Sequence, residues 1–340
     1  MNLRRHLLPH ESGRGHQPEL DGFRGFAVLT VLLAHSSHAG LHPFGLDFDH
    51  FGSVGVYLFF VLSAYLINRQ MLDALERRSA HPRFWLRYAL RRLLRIYPMY
   101  LLALLACLGL HRGGLESLIP SWSDLVNHLS LRDARGVFWT LPVEITYYLL
   151  SPVVVVLLWP IYRSRPWLAI SVLFTAMVSL WFMRFLHLPL PIAFRFAPVL
   201  GFGTLLALLQ RRLSLPGGLG LALFALILTT IPSVSRQLYG TYPFYGYPYT
   251  LAYGLAWMLI LYQALYHEVA LSALGRWLPL RYLGALSFSI YLLHLPVLAL
   301  CQHFLDSAWV VPGFWVGTLA LSFATYTFVE RPLGLLKIRL

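Results

Sequence analysis

Long apolar runs separated by short polar segments dominate the 340-residue chain. Each run is roughly 17–25 residues long, which is the length that an α-helix needs to cross a lipid bilayer. Membrane-spanning β-strands would instead alternate apolar and polar residues over about ten positions, so the pattern argues against a β-barrel. We predict an all-α, polytopic transmembrane helix bundle with about ten spans. The predicted spans are approximately 23–41, 52–68, 88–110, 138–158, 167–184, 193–210, 217–233, 249–266, 281–303 and 310–329.

The composition agrees with a membrane protein. Hydrophobic residues make up 58% of the chain and charged residues only 12%. In soluble proteins about a quarter of the residues are charged. No linker, low-complexity tract or clear repeat interrupts the runs, so residues 1–340 are expected to form a single membrane-embedded domain. Cys107 and Cys301 lie inside apolar runs without metal-ligand spacing. We therefore expect two buried thiols and no metal site.

The net charge of +13 comes from arginines in the short segments between apolar runs. This placement excludes a nucleic-acid partner and instead sets the orientation, because cytoplasmic loops of membrane proteins are enriched in Lys and Arg. With the N-terminus inside and Arg24 set aside, 20 of the 27 basic residues fall on the cytoplasmic side and 6 on the other. We predict that both termini are cytoplasmic. Cleavage of the first run as a signal peptide after Ala39 is the alternative.

The first predicted span carries two ionisable side chains, Arg24 and His35, within ELDGFRGFAVLTVLLAH (19–35). Eleven residues separate them, which at about 100° per residue is close to three turns, so both project from one helix face. Ionisable groups inside a membrane are costly and must face a polar interior or a partner. Snorkelling of Arg24 and an interhelical hydrogen bond of His35 are the structural alternative. For the pair, we favour a functional site.

Two arginines, Arg92 and Arg95, open the third predicted span within RYALRRLLRIYP (87–98). They are three residues apart and so share a helix face at the predicted cytoplasmic boundary. Such a pair can bind phosphates through forked hydrogen bonds. An anchor on anionic lipid headgroups also explains Arg87 and Arg91, but explains less well why Arg95 continues into the apolar run.

The fourth predicted span contains a carboxylate, Glu144, within FWTLPVEITYYLLSP (138–152). A carboxylate at this depth is costly unless it is protonated or paired. The sequence leaves two roles open for Glu144. One is to orient a histidine or stabilise its charge, and the other is to form a structural ion pair with Arg24. Pro142 predicts irregular backbone at the start of this span.

Six stretches in this order resemble the integral-membrane acyltransferase-3 family, which includes bacterial O-acetyltransferases of surface polysaccharides, lipopolysaccharide, Nod factors and peptidoglycan. The resemblance covers nearly the whole chain. Ala64 stands where the family usually has glycine, and Ile145 stands where it often has a second acidic residue, which leaves Glu144 without a neighbouring carboxylate. The stretches are LDGFRG followed by His35, GVYLFFVLSAYLI (55–67), RRLLRIYP (91–98), FWTLPVEITYYLLSP, SFSIYLLHLP (287–296) and YTFVERP (326–332).

The resemblance implies an acyl-CoA donor, usually acetyl-CoA, with no permanently bound cofactor, and a hydroxyl of a glycan or lipid-linked sugar as acceptor. It implies a multi-pass protein of the bacterial cytoplasmic (inner) membrane, in contact with membrane lipids. His35 would be the general base, with Glu144 orienting it or stabilising its protonated form. Arg24 would stabilise negative charge on the thioester oxygen or bind the donor. Arg92 and Arg95 would bind the donor's phosphates, and no second, hydrolase-like domain is expected to finish the transfer.

Two other functional classes stay open on the residues alone. Intramembrane Arg, His and Glu also suit a proton-coupled transporter or exporter of a glycan or small anion. A lipid-binding scaffold is a third possibility. Acyl-CoA consumption that is lost in His35→Ala distinguishes the enzyme from both.

Overall fold

The structure is a computed structural model that describes residues 3–8, 16–210, 212–242, 246–267 and 270–336. Every regular element in these ranges is helical, so the predicted all-α class is confirmed. The α-helices are α1 (Leu3–Leu7), α2 (Pro18–His38), α3 (Gly52–Glu76), α4 (Pro82–Arg112), α5 (Trp122–Leu129), α6 (Thr140–Ser164), α7 (Pro166–Phe185), α8 (Ile192–Leu209), α9 (Leu219–Leu228), α10 (Pro232–Tyr239), α11 (Thr250–Tyr266), α12 (Ala270–Arg276), α13 (Leu278–Phe304), α14 (Ser307–Thr325) and α15 (Arg331–Leu335).

Seven segments of the described chain are long and apolar enough to cross a membrane, which makes this a multi-pass membrane protein. They are built on α3, α4, α6, α7, α8, α13 and α14. An eighth span is added when α9 and α10, bent by 93° at the break between them, are taken as one. The other two predicted spans correspond to α11, which has 17 residues, and to α2, which carries three charged residues near its start. The count of about ten spans therefore stays a prediction.

The cytoplasmic position of both termini also stays a prediction. Residues 1–2 and 337–340 lie outside the described residues, as do two further basic residues that entered the charge count, Arg14 and Arg211. Both cysteines are buried free thiols, as expected.

Two helices begin earlier than the apolar pattern predicts. α2 begins at Pro18 and α4 begins at Pro82, so the polar motif around Arg24 and the arginine-rich stretch before residue 98 are both helical. At the fourth span, residues Gly136–Trp139 form a 3₁₀ turn and α6 starts directly after it. Pro142 lies in the first turn of α6, where a missing N–H removes no helical hydrogen bond, so the irregular start is limited to one turn.

The contacts divide the chain into two compact units. The larger unit comprises residues 1–78 and 149–285, and the smaller unit comprises residues 79–148 and 286–340. The expectation of a single domain over residues 1–340 stays a prediction.

In the larger unit, α3 packs against α2, α8 and α11. Glycine permits the closest of these contacts, because a Cβ atom at Gly55 would lie 1.9 Å from the Thr30 hydroxyl oxygen. The indole N–H of Trp257 donates to the Val54 carbonyl oxygen at 3.0 Å, which satisfies a fully buried polar group. Small residues at helix contacts are typical of membrane bundles, where close packing replaces the hydrophobic effect.

The loop after α2 is tied to α10 within the larger unit. The backbone N–H of Phe48 donates to the Ser37 hydroxyl at 2.9 Å, and that of Asp47 donates to the Ser233 hydroxyl at 2.6 Å. Arg236 completes the tie with an ion pair to Asp47 at 2.8 Å. The loop that follows α2 is thereby connected to α10, in which Arg236 comes 189 residues after Asp47.

The smaller unit is built around α4, which contacts α5, α15 and a π-helical segment at Tyr326–Glu330. The Tyr100 hydroxyl donates to the His128 carbonyl oxygen at 3.0 Å, and the Tyr291 hydroxyl donates to the Val137 carbonyl oxygen at 2.8 Å. Both tyrosines are buried, and these bonds fix the segment that leads into α6.

Candidate functional site

Close backbone contacts hold the helical segment that carries Arg24. A Cβ atom at Gly22 would lie 2.0 Å from the Gly275 carbonyl oxygen, and one at Gly25 would lie 1.8 Å from the Leu280 carbonyl oxygen. Neither position can accept a side chain without displacing backbone. The two glycines of LDGFRG therefore fix the start of α2 against α12 and the first turn of α13.

Ion pairs anchor the acidic residues of the same segment. Glu19 lies 2.7 Å from Arg276, while Asp21 lies 3.0 Å from His16 and 3.6 Å from Arg281. Arg281 is only 4% exposed, so its positive charge is buried beside Asp21. Removing either charge of such a pair would leave the other uncompensated in a low-dielectric environment.

Arg24 and His35 lie on one uninterrupted helix, α2, and both are half-buried. Val28 and Val31 occupy the same face between them and are buried. The helix geometry therefore keeps Arg24 and His35 on one face, with their Cα atoms about 16 Å apart along the axis. Their chemical roles stay predictions.

Arg92 is held between two tyrosines of the smaller unit. Its guanidinium carbon lies 5.9 Å from the ring centre of Tyr88 and 5.8 Å from that of Tyr148. These are cation–π contacts, which stabilise a cation in a partly desolvated position. Arg95, one turn further along α4, is exposed. Among the described residues, neither Arg92 nor Arg95 forms an ion pair.

Glu144 is linked to Arg92 through one side chain. The Tyr148 hydroxyl donates to the Glu144 carboxylate at 2.9 Å, and the ring of the same tyrosine contacts Arg92. The structure thus brings together two of the predicted site residues, by way of a residue that the sequence analysis missed. The signal was available, because Tyr148 follows Glu144 by four residues and so lies on the same helix face.

A second polar cluster of the smaller unit involves the last two resemblance motifs. Ser289 donates a hydrogen bond to Glu330, and the Thr325 hydroxyl lies 3.0 Å from the Ser289 hydroxyl. Glu330 ends the π-helical segment, a rare element that is often found at functional sites. His294, on α13, is fully buried, and its Nδ1 lies 3.1 Å from the Ile290 carbonyl oxygen.

The five predicted site residues fall into two groups. Arg24 and His35 belong to the larger unit, while Arg92, Arg95 and Glu144 belong to the smaller unit. Each group is placed by the contacts of its own unit. Within the described ranges, no cluster of three or more His, Cys, Asp or Glu residues is arranged to hold a metal ion.

A family described as an acyltransferase domain matches residues 17–329 of the chain, which includes all five residues. YrhL of Bacillus subtilis, named provisionally as a peptidoglycan O-acetyltransferase, is 27% identical over 93% of this chain and 54% of its own length. The peptidoglycan O-acetyltransferase OatA of Listeria monocytogenes is 23% identical over 94% of this chain and 56% of its own length.

The O-acetyltransferase OatA of Staphylococcus aureus is 28% identical over 50% of this chain and 30% of its own length. The chain thus spans about half the length of the first two relatives. No solved structure matches the fold of this chain.

Proposed function

Because the chain belongs to the acyltransferase-3 family, we propose that it is a membrane O-acyltransferase of the bacterial cytoplasmic membrane. It moves an acyl group, acetyl in the simplest case, from cytoplasmic acyl-CoA to a hydroxyl of a cell-surface or lipid-linked glycan. The observation that carries this proposal is the family match over residues 17–329, and the names of the relatives support an acetyl group and a glycan acceptor.

The surroundings of Arg92 and Arg95 support a phosphate-bearing donor. Two guanidinium groups one turn apart, without a carboxylate partner among the described residues, leave their N–H donors to an anion. Coenzyme A carries phosphates, and arginine binds phosphate oxygens through forked hydrogen bonds. The proposed donor is thus a chemical match to the two cations.

The proposed reaction needs a base, because a sugar hydroxyl is a poor nucleophile at neutral pH. The His35 imidazole takes the hydroxyl proton while the oxygen attacks the thioester carbonyl carbon. The carbon–sulfur bond then breaks, the thiolate leaves, and the imidazolium returns the proton to the sulfur. Arg24 lies three helical turns from His35 on α2, so its proposed role is to bind the acyl-CoA donor rather than the reacting carbonyl oxygen. The products are an O-acyl glycan and free coenzyme A.

The test uses the purified full chain with radiolabelled acetyl-CoA and measures release of free coenzyme A with and without glycan acceptors. We expect turnover by the wild type and its loss in His35→Ala. His303→Ala is the matched control, because His303 is an exposed histidine at the end of α13. Retained turnover in His35→Ala would remove His35 from the mechanism.

A cellular measurement tests the acceptor. Mass spectra of surface glycans from cells with and without the gene are compared, and loss of the acetyl mass increment identifies the acceptor. Glycan transport without any acyl chemistry would overturn the proposal in favour of the transporter.

A further inference from the structure

Tyr148 contacts two charged side chains of opposite sign. Its hydroxyl donates to the Glu144 carboxylate at 2.9 Å, and its ring lies 5.8 Å from the guanidinium carbon of Arg92. A second tyrosine holds it in place, because the Tyr88 hydroxyl donates to the backbone carbonyl oxygen of Tyr148 at 3.0 Å. We call Tyr88 and Tyr148 the tyrosine pair.

Tyr148 contacts both charges from a position between them. Its ring and hydroxyl both interact with the Arg92 guanidinium, and its hydroxyl donates to the Glu144 carboxylate. Arg92 and Glu144 do not pair with each other directly, since the described part of the chain contains no ion pair of Arg92. A direct pair would engage the N–H donors of the guanidinium in the forked geometry that carboxylates and phosphates share.

We propose that Tyr148 is a positioning residue that keeps Glu144 from pairing with Arg92, so that the N–H donors of Arg92 remain available to the phosphates of the acyl-CoA donor. This inference rests on the proposed function. The contacts with the tyrosine pair hold the guanidinium by its faces, while the hydrogen bond from Tyr148 holds the carboxylate. Removing the hydroxyl removes this hydrogen bond to Glu144, and the carboxylate is then available to compete with phosphate for Arg92.

The primary experiment measures the dissociation constant of coenzyme A for the purified full chain by calorimetry. Tyr148→Phe keeps the ring and removes only the hydroxyl, and we expect roughly tenfold weaker binding, the size of one charge-assisted hydrogen bond. Tyr162→Phe is the control, because it removes a buried tyrosine hydroxyl that donates to a backbone carbonyl oxygen of the larger unit, that of Leu208, at 2.8 Å. It should change the dissociation constant much less.

A rescue separates positioning from a purely structural role. Adding Glu144→Gln to Tyr148→Phe removes the competing charge and should restore most of the affinity. A structural defect would become worse when a further polar group is altered. Acetyl-pantetheine, which lacks the nucleotide phosphates, should show the same KM with the wild type and with Tyr148→Phe.

A double mutant tests whether the hydroxyl acts through Arg92. In the Arg92→Lys background, Tyr148→Phe should have no further effect on coenzyme A binding. Absence of coenzyme A binding by the wild type overturns both the proposed donor and this inference. This inference alone is overturned if the wild type binds coenzyme A and Tyr148→Phe has the same dissociation constant. It is also overturned if adding Glu144→Gln to Tyr148→Phe does not restore the affinity.

Discussion

Arg92 and Arg95 come from one turn of α4 but have different surroundings. The tyrosine pair holds the guanidinium of Arg92, whereas Arg95 is exposed and retains its rotamer freedom. A side chain that is already ordered loses less entropy when it binds a ligand. Arg92 should therefore contribute more of the affinity for an anionic donor than Arg95.

We expect Arg92→Lys to raise the KM for acetyl-CoA by roughly tenfold, because lysine keeps the charge but lacks the planar fork. Arg95→Lys should have a smaller effect, since a flexible, exposed cation acts mainly as a point charge. Arg91→Lys is the control, because Arg91 is exposed and adjacent in sequence. Equal KM values for all three variants would refute the phosphate-binding role.

Asp124, which lies outside the membrane-spanning helices, provides a pH-dependent prediction. The hydrogen bond from Ser121 and the nearby Arg135 guanidinium hold the pKa of Asp124 below its ordinary value. A depressed carboxyl pKa contributes stability above the unfolded pKa, and this contribution is lost as the pH falls through the folded value.

The midpoint temperature of thermal unfolding of Ser121→Ala should accordingly lie below that of the wild type at neutral pH. The difference should narrow towards about pH 3, below the ordinary aspartate pKa. Midpoints in detergent across this range check the prediction, and a difference independent of pH would contradict it.

At the scale of elements, the start of α2 depends on glycine rather than on hydrophobicity. Gly25→Ala places a Cβ atom 1.8 Å from the Leu280 carbonyl oxygen, so backbone must move. We expect a loss of about 1–3 kcal/mol in stability, the usual size of overpacking. The measurement is the thermal midpoint in detergent.

Gly109→Ala is the control for this substitution. Gly109 is exposed within α4 and has no atom within 4 Å of an added Cβ. Because alanine favours helix over glycine, this variant should be neutral or slightly stabilising. If both variants lost the same amount of stability, helix packing at Gly25 would not be the cause of the loss in Gly25→Ala.

The sequence predicts elements better than it predicts their polar partners. Runs of apolar residues locate every long helix, because burial in lipid requires them. The helical start of α2 at Pro18 was missed, since its acidic residues are stabilised by partners far along the chain. Glu19 pairs with Arg276, 257 residues later, and no local pattern contains that contact.

Local spacing would have revealed part of the candidate site. Tyr148 and Glu144 are four residues apart on α6, so their contact follows from helix geometry. The bond between Ser289 and Glu330 does not, because it joins α13 to the π-helical segment. Periodicity reports which face a residue occupies, and it does not report which helix lies opposite.

At the scale of the whole molecule, the charge asymmetry predicts the orientation in the membrane. Arg163 and Asp306 are both exposed and are expected on opposite sides, with Arg163 cytoplasmic. In a protein with Cys107 and Cys301 replaced by serine, a membrane-impermeant maleimide applied to intact cells should label Asp306→Cys. Arg163→Cys should react only after permeabilisation. The reverse pattern would invert the predicted topology.

The tie between Asp47 and Arg236 affects how natural variants of the gene are interpreted. Isolates that lose the proposed acyl transfer while keeping all six motifs intact would ordinarily be assigned a regulatory or expression defect. Arg236 belongs to none of the motifs, yet its ion pair secures the loop that closes the helix bearing His35. Genotyping should therefore include codon 236 before the coding sequence is dismissed as the cause.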